Sequence, residues 1–192
     1  SLIIKNININ QSRSGILKIL YKMKAKIRIL NKKNYRGEYI GDIKIKSTKN
    51  LKSINCPENL NTSAIDEFLL IFLIAAKSKG ISIFRKLDEL NKKESPRLDL
   101  ALKFLKMIGI KVIKKNDIIK IFGNPELVLK KNFHIKKFLK DHRIFMMSVI
   151  AALTLGGNWK INDKDSIKTS FPSFLNITKK LGAKINWKKK FL

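Results

Sequence analysis

Acidic and basic side chains gather just before three apolar stretches of the chain. Asp66 precedes the run that begins at Phe68, Asp141 precedes the run that begins at Ile144, and Ser95 opens a third, amphipathic stretch that also holds Arg97. A short polar residue in such a place is typical of a helix N-cap, and capping alone explains any one of these positions. Helix N-termini also attract anions, so the recurrence of the pattern predicts positions that could meet an anionic substrate.

Two of the six arginines, Arg97 and Arg143, lie at these helix starts. The planar guanidinium of arginine can grip a carboxylate or phosphate through two parallel hydrogen bonds, which lysine cannot do. Lys93 and Glu94 stand close to Arg97 and add a second cation and a carboxyl group that could transfer a proton. The sequence therefore predicts acid–base chemistry on a small anionic substrate.

The 192 residues carry a formal net charge of +28, which taken alone favours a nucleic-acid-binding protein. Lysine accounts for 36 of the 42 basic residues, and isoleucine and asparagine are abundant as well. Because A/T-rich codons encode these three residue types, mutational drift of surface positions toward lysine explains most of the charge. We expect small molecules rather than nucleic acid as partners, and a basic nucleic-acid-binding module remains the alternative.

Histidine and cysteine are scarce. His134, His142 and Cys56 do not have the spacing of a metal site, so no metal is expected. A single cysteine fits a reducing compartment, and we expect a cytoplasmic protein. The apolar runs are shorter than the ~20 residues that span a bilayer, so no membrane partner is expected.

Helical and strand-like periodicities alternate along the chain, which predicts an α/β fold. Asp66 and Asp141 take equivalent places in two similar segments. Three further segments share the pattern of an amphipathic helix, a tight turn and a short strand: residues 15–29, 100–114 and 174–187. Such repeats predict stacked modules that share a core, with the third module incomplete.

Several element boundaries follow from the same patterns. A helix is predicted over residues 13–25, with Ile16, Leu17, Leu20 and Met23 on its inward face. Ile65–Lys79 is predicted as one apolar helix, and further helices are predicted at Ser95–Ile108 and Asp141–Leu155. Short strands are predicted at Leu51–Ile54 and, near the end of the chain, at Lys184–Trp187.

Four stretches resemble motifs of the EPSP synthase family. They follow the order and spacing found in the C-terminal half of that family, and the resemblance runs from about residue 3 to residue 186. The stretches are Ile65-Asp66-Glu67-Phe68 for "IDE-aromatic-Pro", Glu89 to Arg97 for "ELRVKESDR", Asp141 to Met146 for "DHRIAM" and Thr169 to Phe174 for "TSFPxF".

The resemblance implies an inside-out α/β domain of repeated βαβαββ units, as in the enolpyruvyl transferases, with the third unit incomplete. We expect one such domain over residues 1–187, the C-terminal half of a two-domain enzyme, and a basic tail at residues 188–192. The family transfers the enolpyruvyl group of phosphoenolpyruvate to the 5-hydroxyl of shikimate 3-phosphate and releases phosphate, without a metal or organic cofactor. A missing N-terminal domain is therefore the expected partner, and the full-length protein is expected to be a monomer.

Residue roles carried over from the resemblance divide between the two substrates. Asp66 is expected to contact the shikimate hydroxyl and act as general base, and Lys93 to contact the 3-phosphate. Glu94 is expected to exchange a proton with the methylene carbon of phosphoenolpyruvate. Arg97 and Arg143 are expected to bind phosphoenolpyruvate.

Besides Leu69, which replaces the proline of the first motif, three departures from the family motifs lie close to candidate site residues. Asn91 replaces an arginine, Pro96 an aspartate and Phe145 a small residue. We expect the chain alone to have negligible turnover, because half of the substrate contacts would come from the other domain. A non-functional gene fragment is a third hypothesis, beside the enzyme and the nucleic-acid-binding module.

Overall fold

A computed structural model of the chain describes residues 1–136 and 140–186. It divides into two compact units, one from Ser1 to Leu127 and one from Val128 onward. Within the described residues, no helix is long and apolar enough to cross a membrane. Helices and strands alternate in both units, as the periodicities predict.

The first unit begins with a three-stranded antiparallel sheet and one helix. Its elements are β1 (Leu2–Asn8), α1 (Gly15–Lys22), β2 (Lys26–Tyr35) and β3 (Glu38–Lys46), and the strand order is β1-β3-β2. Of the four residues predicted to face inward on this helix, Met23 is fully buried and Ile16, Leu17 and Leu20 are half-buried, and Ile19, which was not predicted, is also fully buried. Ile19 belongs to the same i, i+3, i+4, i+7 stripe as Ile16, Leu20 and Met23, which is the stripe that faces a core.

The remainder of the first unit repeats this plan. Its elements are α2 (Phe68–Ala76), β4 (Gly80–Arg85), α3 (Arg97–Met107), β5 (Val112–Lys115) and β6 (Ile118–Gly123). The sheet order β4-β6-β5 matches β1-β3-β2, and all neighbouring strands are antiparallel. Helix α3 precedes β5 as α1 precedes β2, so the sequence repeat at 15–29 and 100–114 corresponds to a repeated βαββ structure.

The strand predicted at Leu51–Ile54 is replaced by isolated bridges. Lys52 and Asn55 pair in parallel with Lys79 and Ile83, beside β4. Helix α2 links this extended segment to β4, which gives the connection required between parallel neighbours.

Helix α2 is apolar on all sides because it is surrounded by its own unit. Phe68 and Phe72 pack on Phe84 of β4, with ring centroids 6.0 and 5.1 Å from it. At the other end of α2, Gly123 allows β6 to approach the helix: a Cβ there would overlap the carbonyl oxygen of Ser78. An all-round apolar helix is typical of such a buried position.

The second unit places helices against a two-stranded parallel sheet. Its elements are β7 (Leu129–Ile135), α4 (His142–Leu155), β8 (Gly156–Ile161) and α5 (Phe174–Lys180), and β7 pairs with β8. Helix α4 joins these parallel strands as α2 joins the 52–55 segment to β4, in agreement with the sequence similarity around Asp66 and Asp141. The strand predicted at Lys184–Trp187 does not form over residues 184–186, and Trp187 and the predicted tail 188–192 lie outside the described residues.

Candidate functional site

Asp66 lies on a 3₁₀ helix, Thr62–Glu67, that leads directly into α2. The predicted single helix Ile65–Lys79 is therefore two helices of different pitch. Gly15, the first residue of α1, packs so tightly on this turn that a Cβ at Gly15 would overlap Ser63 and lie 2.9 Å from the backbone nitrogen of Ala64. This close packing sets the distance between α1 and the turn that carries Asp66.

Asn61 anchors the same turn from its other side. Its side-chain amide donates to the carbonyl oxygens of Arg85 at 2.9 Å and Lys86 at 3.2 Å, just after β4 ends. The carboxylate of Glu58 lies 2.7 Å from the ammonium of Lys86, and this hydrogen bond raises the pKa of Lys86. The role of Asn61 could not be predicted from the sequence, because a side chain that bonds distant carbonyl groups leaves no local pattern.

Lys93 and Glu94 follow a 3₁₀ helix, Asp88–Lys92, that is held by the buried side chain of Leu90. The ammonium of Lys93 lies 3.2 Å from the carboxylate of Glu89. Asn91, which departs from the family motif, has a structural role here: its side-chain oxygen accepts from the backbone nitrogen of Asp99 at 3.2 Å. It thereby satisfies one of the N–H groups that the first turn of α3 cannot pair internally.

Pro96, the second departure, occupies the N-cap of α3. Its φ of −69° agrees with the fixed torsion of the ring, and its carbonyl oxygen accepts from Leu100 at 3.0 Å. A proline next to the start of a helix costs little, because the N–H it lacks would have no partner within the helix. The substitution therefore preserves the start of the helix that carries Arg97.

Arg97 connects the two acidic site residues that were predicted in the first unit, Asp66 and Glu94. Its side chain is only 3% exposed, yet one terminal nitrogen lies 3.7 Å from the carboxylate of Asp66 and the other lies 2.5 Å from that of Glu94. The two carboxylates are about half exposed, at 44% and 55%. The structure thus brings together three predicted site residues from two motifs, with the cation beneath and the acids toward solvent.

This arrangement can bind an anion and move protons beside it. A guanidinium has five N–H donors, so an arginine held by carboxylates can also donate to a third anionic group. Carboxylates at two places around one such anion can serve as separate proton acceptor and donor. These are the chemical capacities that the sequence predicted for this region.

Asp141 and Arg143 lie at the start of α4 in the second unit. Asp141 is 1% exposed and caps the helix, because its carboxylate accepts from the backbone nitrogens of Arg143 at 2.9 Å and Ile144 at 3.3 Å. Phe145, the third departure, is buried in a core cluster with Val149, Phe174 and neighbouring apolar side chains. The larger side chain thus serves the packing of α4 on α5.

The stretch at Thr169 follows a short 3₁₀ helix, Lys164–Ile167. Lys168 is paired with Asp165 at 3.1 Å, and both side chains are 71% exposed. Ile167 is buried and anchors the turn in the core of the second unit.

Comparison with known proteins identifies the family. The family model for EPSP synthase (3-phosphoshikimate 1-carboxyvinyltransferase) matches residues 1–178. The chain belongs to the EPSP synthase family. The 3-phosphoshikimate 1-carboxyvinyltransferase of Ruthia magnifica is 38% identical over 184 residues, which cover 94% of this chain and 40% of that protein.

Solved structures agree with this assignment. The EPSP synthase from Acinetobacter baumannii has a TM-score of 0.84 and 32% identity, and the match covers 93% of this chain and 41% of that one. The enolpyruvyl transferase NikO from Streptomyces tendae, at 16% identity and a TM-score of 0.66 over 96% of this chain and 39% of its own, shares the fold. The predicted enolpyruvyl-transferase-like α/β fold is therefore confirmed, and the chain spans about two fifths of the length of its EPSP synthase relatives.

Proposed function

We propose that this chain supplies one half of the active site of an enzyme that makes 5-enolpyruvylshikimate 3-phosphate. The enzyme would transfer the enolpyruvyl group of phosphoenolpyruvate to the 5-hydroxyl of shikimate 3-phosphate, in chorismate and aromatic amino-acid biosynthesis. The observation that carries the proposal is the buried guanidinium of Arg97 between the carboxylates of Asp66 and Glu94. Because the chain spans only part of its relatives, the remaining contacts would come from an N-terminal domain.

The proposed chemistry has an addition and an elimination step. In the addition, Asp66 accepts the proton of the attacking hydroxyl, the hydroxyl oxygen bonds to C2 of phosphoenolpyruvate, and Glu94 gives a proton to the methylene carbon. In the elimination, Glu94 takes a proton back from the new methyl group, the C–O bond to phosphate breaks, and the departing phosphate takes up the proton that Asp66 had accepted, which returns both carboxyl groups to their starting states. Two carboxylates at separate places suit these two proton transfers.

The cations would hold the anionic substrates. Arg97 and Arg143 would bind phosphoenolpyruvate, and Lys93 would bind the 3-phosphate of the shikimate substrate. Fixed cations in a cleft offset the repulsion between two anions and orient them for attack. We expect no metal or organic cofactor, a cytoplasmic enzyme and a monomeric full-length protein.

Fusion to the N-terminal part of the Acinetobacter baumannii EPSP synthase tests the proposal. We expect the fused protein to release phosphate only when both substrates are present, and the 192-residue chain alone to show negligible turnover. In the fusion, Glu94→Gln should lower turnover by roughly 10²- to 10⁴-fold, the usual contribution of a general acid or base. Glu126→Gln, at an exposed carboxylate elsewhere in the first unit, is the matched control and should leave turnover unchanged.

Two outcomes would contradict the proposal. An inactive fusion that folds and binds neither substrate would support a non-functional fragment. An active fusion that tolerates both Glu94→Gln and Arg97→Ala would show that the chemistry lies elsewhere.

A further inference from the structure

The β1-β3-β2 sheet carries cations at directly paired positions on one of its faces. Lys46 of β3 lies opposite Lys26 of β2, and Lys44 of β3 lies opposite Arg28 of β2. These four residues, here called the cationic face, form a two-by-two grid. Lys26, Arg28 and Lys46 are exposed, and Lys44 is half-buried.

This pairing is electrostatically unfavourable within the chain itself. Side chains directly opposite one another on an antiparallel pair are close neighbours, and like charges there repel. Each of the two lysines of β3 has a cation, not a carboxylate, as its neighbour on β2. An anion lying across the grid would convert this repulsion into attraction.

The second sheet of the same unit, whose three strands are all described, carries cations without such pairs. On its outward face, Lys120 lies between Ile83 and Ile113. The other two cations there, Arg85 and Lys115, lie on either side of Ile118. Drift acts on both sheets alike, so composition explains the number of lysines but not their pairing on the first sheet.

The spacing of the grid suits a linear, repeating anion. Alternate residues of an antiparallel strand lie about 6.8 Å apart on one face, and neighbouring strands lie about 4.8 Å apart. Lysine contacts phosphate groups as a point charge, and phosphate contacts carry no sequence information, so such a grid favours the sugar–phosphate backbone over a particular base sequence.

Asp42 limits the grid on the side nearer the β2–β3 turn. It precedes Lys44 and Lys46 in the same alternating row of β3. Its carboxylate accepts from the backbone nitrogen of Asn6 at 3.0 Å and the side chain of Asn31 at 2.8 Å. The acid is therefore engaged with β1 and β2.

We propose that the cationic face binds the phosphate backbone of a nucleic acid without sequence specificity. This activity is separate from enolpyruvyl transfer, since none of the four residues belongs to the candidate site. Composition led us to expect small molecules rather than nucleic acid as partners, and the proposal replaces that expectation for this one face of the protein.

Binding of a fluorescein-labelled single-stranded RNA of mixed sequence, followed by fluorescence anisotropy at low salt, tests the proposal. The test variant is Lys26→Gln, Arg28→Gln, Lys44→Gln and Lys46→Gln combined. The matched control neutralises four exposed lysines elsewhere in the same unit, Lys103, Lys106, Lys115 and Lys120, each to Gln. Both variants lose the same net charge, so any difference between them reports position.

We expect the test variant to bind RNA at least tenfold more weakly and the control less than threefold more weakly. The slope of log affinity against log salt should also fall by about 0.7 for each phosphate contact that the test variant loses. Circular dichroism melting checks that both variants fold. If the fourfold test variant does not, the pair Lys26→Gln and Lys46→Gln is compared with Lys115→Gln and Lys120→Gln, and a threefold difference is then expected.

Three results would overturn the proposal. Equal weakening of RNA binding in both variants would assign the binding to the net charge of the whole chain. If the unmodified chain showed no measurable RNA binding, the proposal would be wrong. Binding to phosphatidylserine vesicles or polyglutamate that depends on the cationic face, with RNA bound no better, would assign the face to a different partner.

Discussion

The guanidinium of Arg97 lies 3.7 Å from the carboxylate of Asp66, although 31 positions separate the two residues in the chain. Arg97 is at the start of α3, and Asp66 is on the turn before α2. The strand β4 and the turn that follows it bring the two helix starts together. This ion pair therefore depends on the repeat architecture. Its contribution to the free energy of unfolding can be used to test whether that architecture is intact.

Arg97→Ala should destabilise the first unit. Truncation removes a buried cation and leaves two like-charged carboxylates and a small cavity in its place. Because the carboxylates are about half exposed, we expect a loss of about 1–3 kcal/mol in the free energy of unfolding, below the value for a fully buried pair. Urea denaturation measures this loss. The control is Lys120→Ala at an exposed position, which should change the free energy of unfolding by less than about 0.5 kcal/mol. Equal effects of the two substitutions would contradict a buried role for Arg97.

Gly15→Ala should disturb the turn that carries Asp66. The added Cβ would overlap Ser63, so either α1 or the turn must shift, at a cost of about 1–3 kcal/mol for overpacking. The exposed substitution Lys18→Ala on the same helix is the control and should be close to neutral. Urea denaturation of both variants, with backbone NMR shifts for residues 62–67, measures the effect. Unchanged shifts in Gly15→Ala would show that the contact does not position the turn.

The thiol of Cys56 should react slowly in the folded protein. Burial raises its pKa from 9.0 to about 11, although the charge of Lys22 opposes the shift. At pH 8 the thiolate fraction is then roughly 100-fold lower than in the unfolded chain, and alkylation proceeds through the thiolate. Iodoacetamide labelling followed by mass spectrometry measures the rate, and labelling in 6 M guanidinium chloride is the control. Equal rates in the two conditions would mean that the thiol is neither buried nor shifted.

Stability should depend on Asp42 in acid. The backbone N–H of Asn6 and then the side chain of Asn31 lower the pKa of this carboxyl below its ordinary value of 3.8. Since the folded pKa is lowered, the stabilisation is fully present well above pH 3.8 and is lost as the pH falls through the folded pKa. We expect wild type to have a higher urea midpoint than Asp42→Asn at pH 6, and the difference to narrow toward pH 2. A difference that stays constant with pH would contradict the assignment.

Asn6 and Asn31 also show why the shape of the first sheet could not be predicted. Both residues have positive φ, 55° and 51°, and both lie where the register of their strand shifts against β3. Asparagine tolerates a positive φ. Because asparagine occurs at many other positions of the chain, composition does not identify Asn6 and Asn31 as the residues that adopt this conformation. What distinguishes them is tertiary, since both bind the carboxylate of Asp42 across the sheet.

The elements that sequence predicted best were those with long apolar periodicity. Helices α2, α3 and α4 were predicted within a few residues of their observed bounds, because their apolar faces and cap residues are local features. Strand β7 was not predicted, since Lys131 interrupts the alternation of Leu129, Phe133 and Ile135, and its parallel partner β8 lies beyond a whole helix. The role of Asn61 was equally hidden, because it depends on carbonyl groups more than twenty residues away.

The sequence by itself determined the family, the α/β alternation, the repeat and the identity of the candidate site residues, since each follows from residue types at fixed spacings. Tertiary structure decided which of those residues meet: Asp66, Glu94 and Arg97 converge through the packing of α1, α2 and β4. It also decided that lysines distributed along the whole chain form paired cations on one sheet and isolated ones on the other. The physical reason is the same in both cases, because strand register and helix packing set distances that linear spacing does not contain.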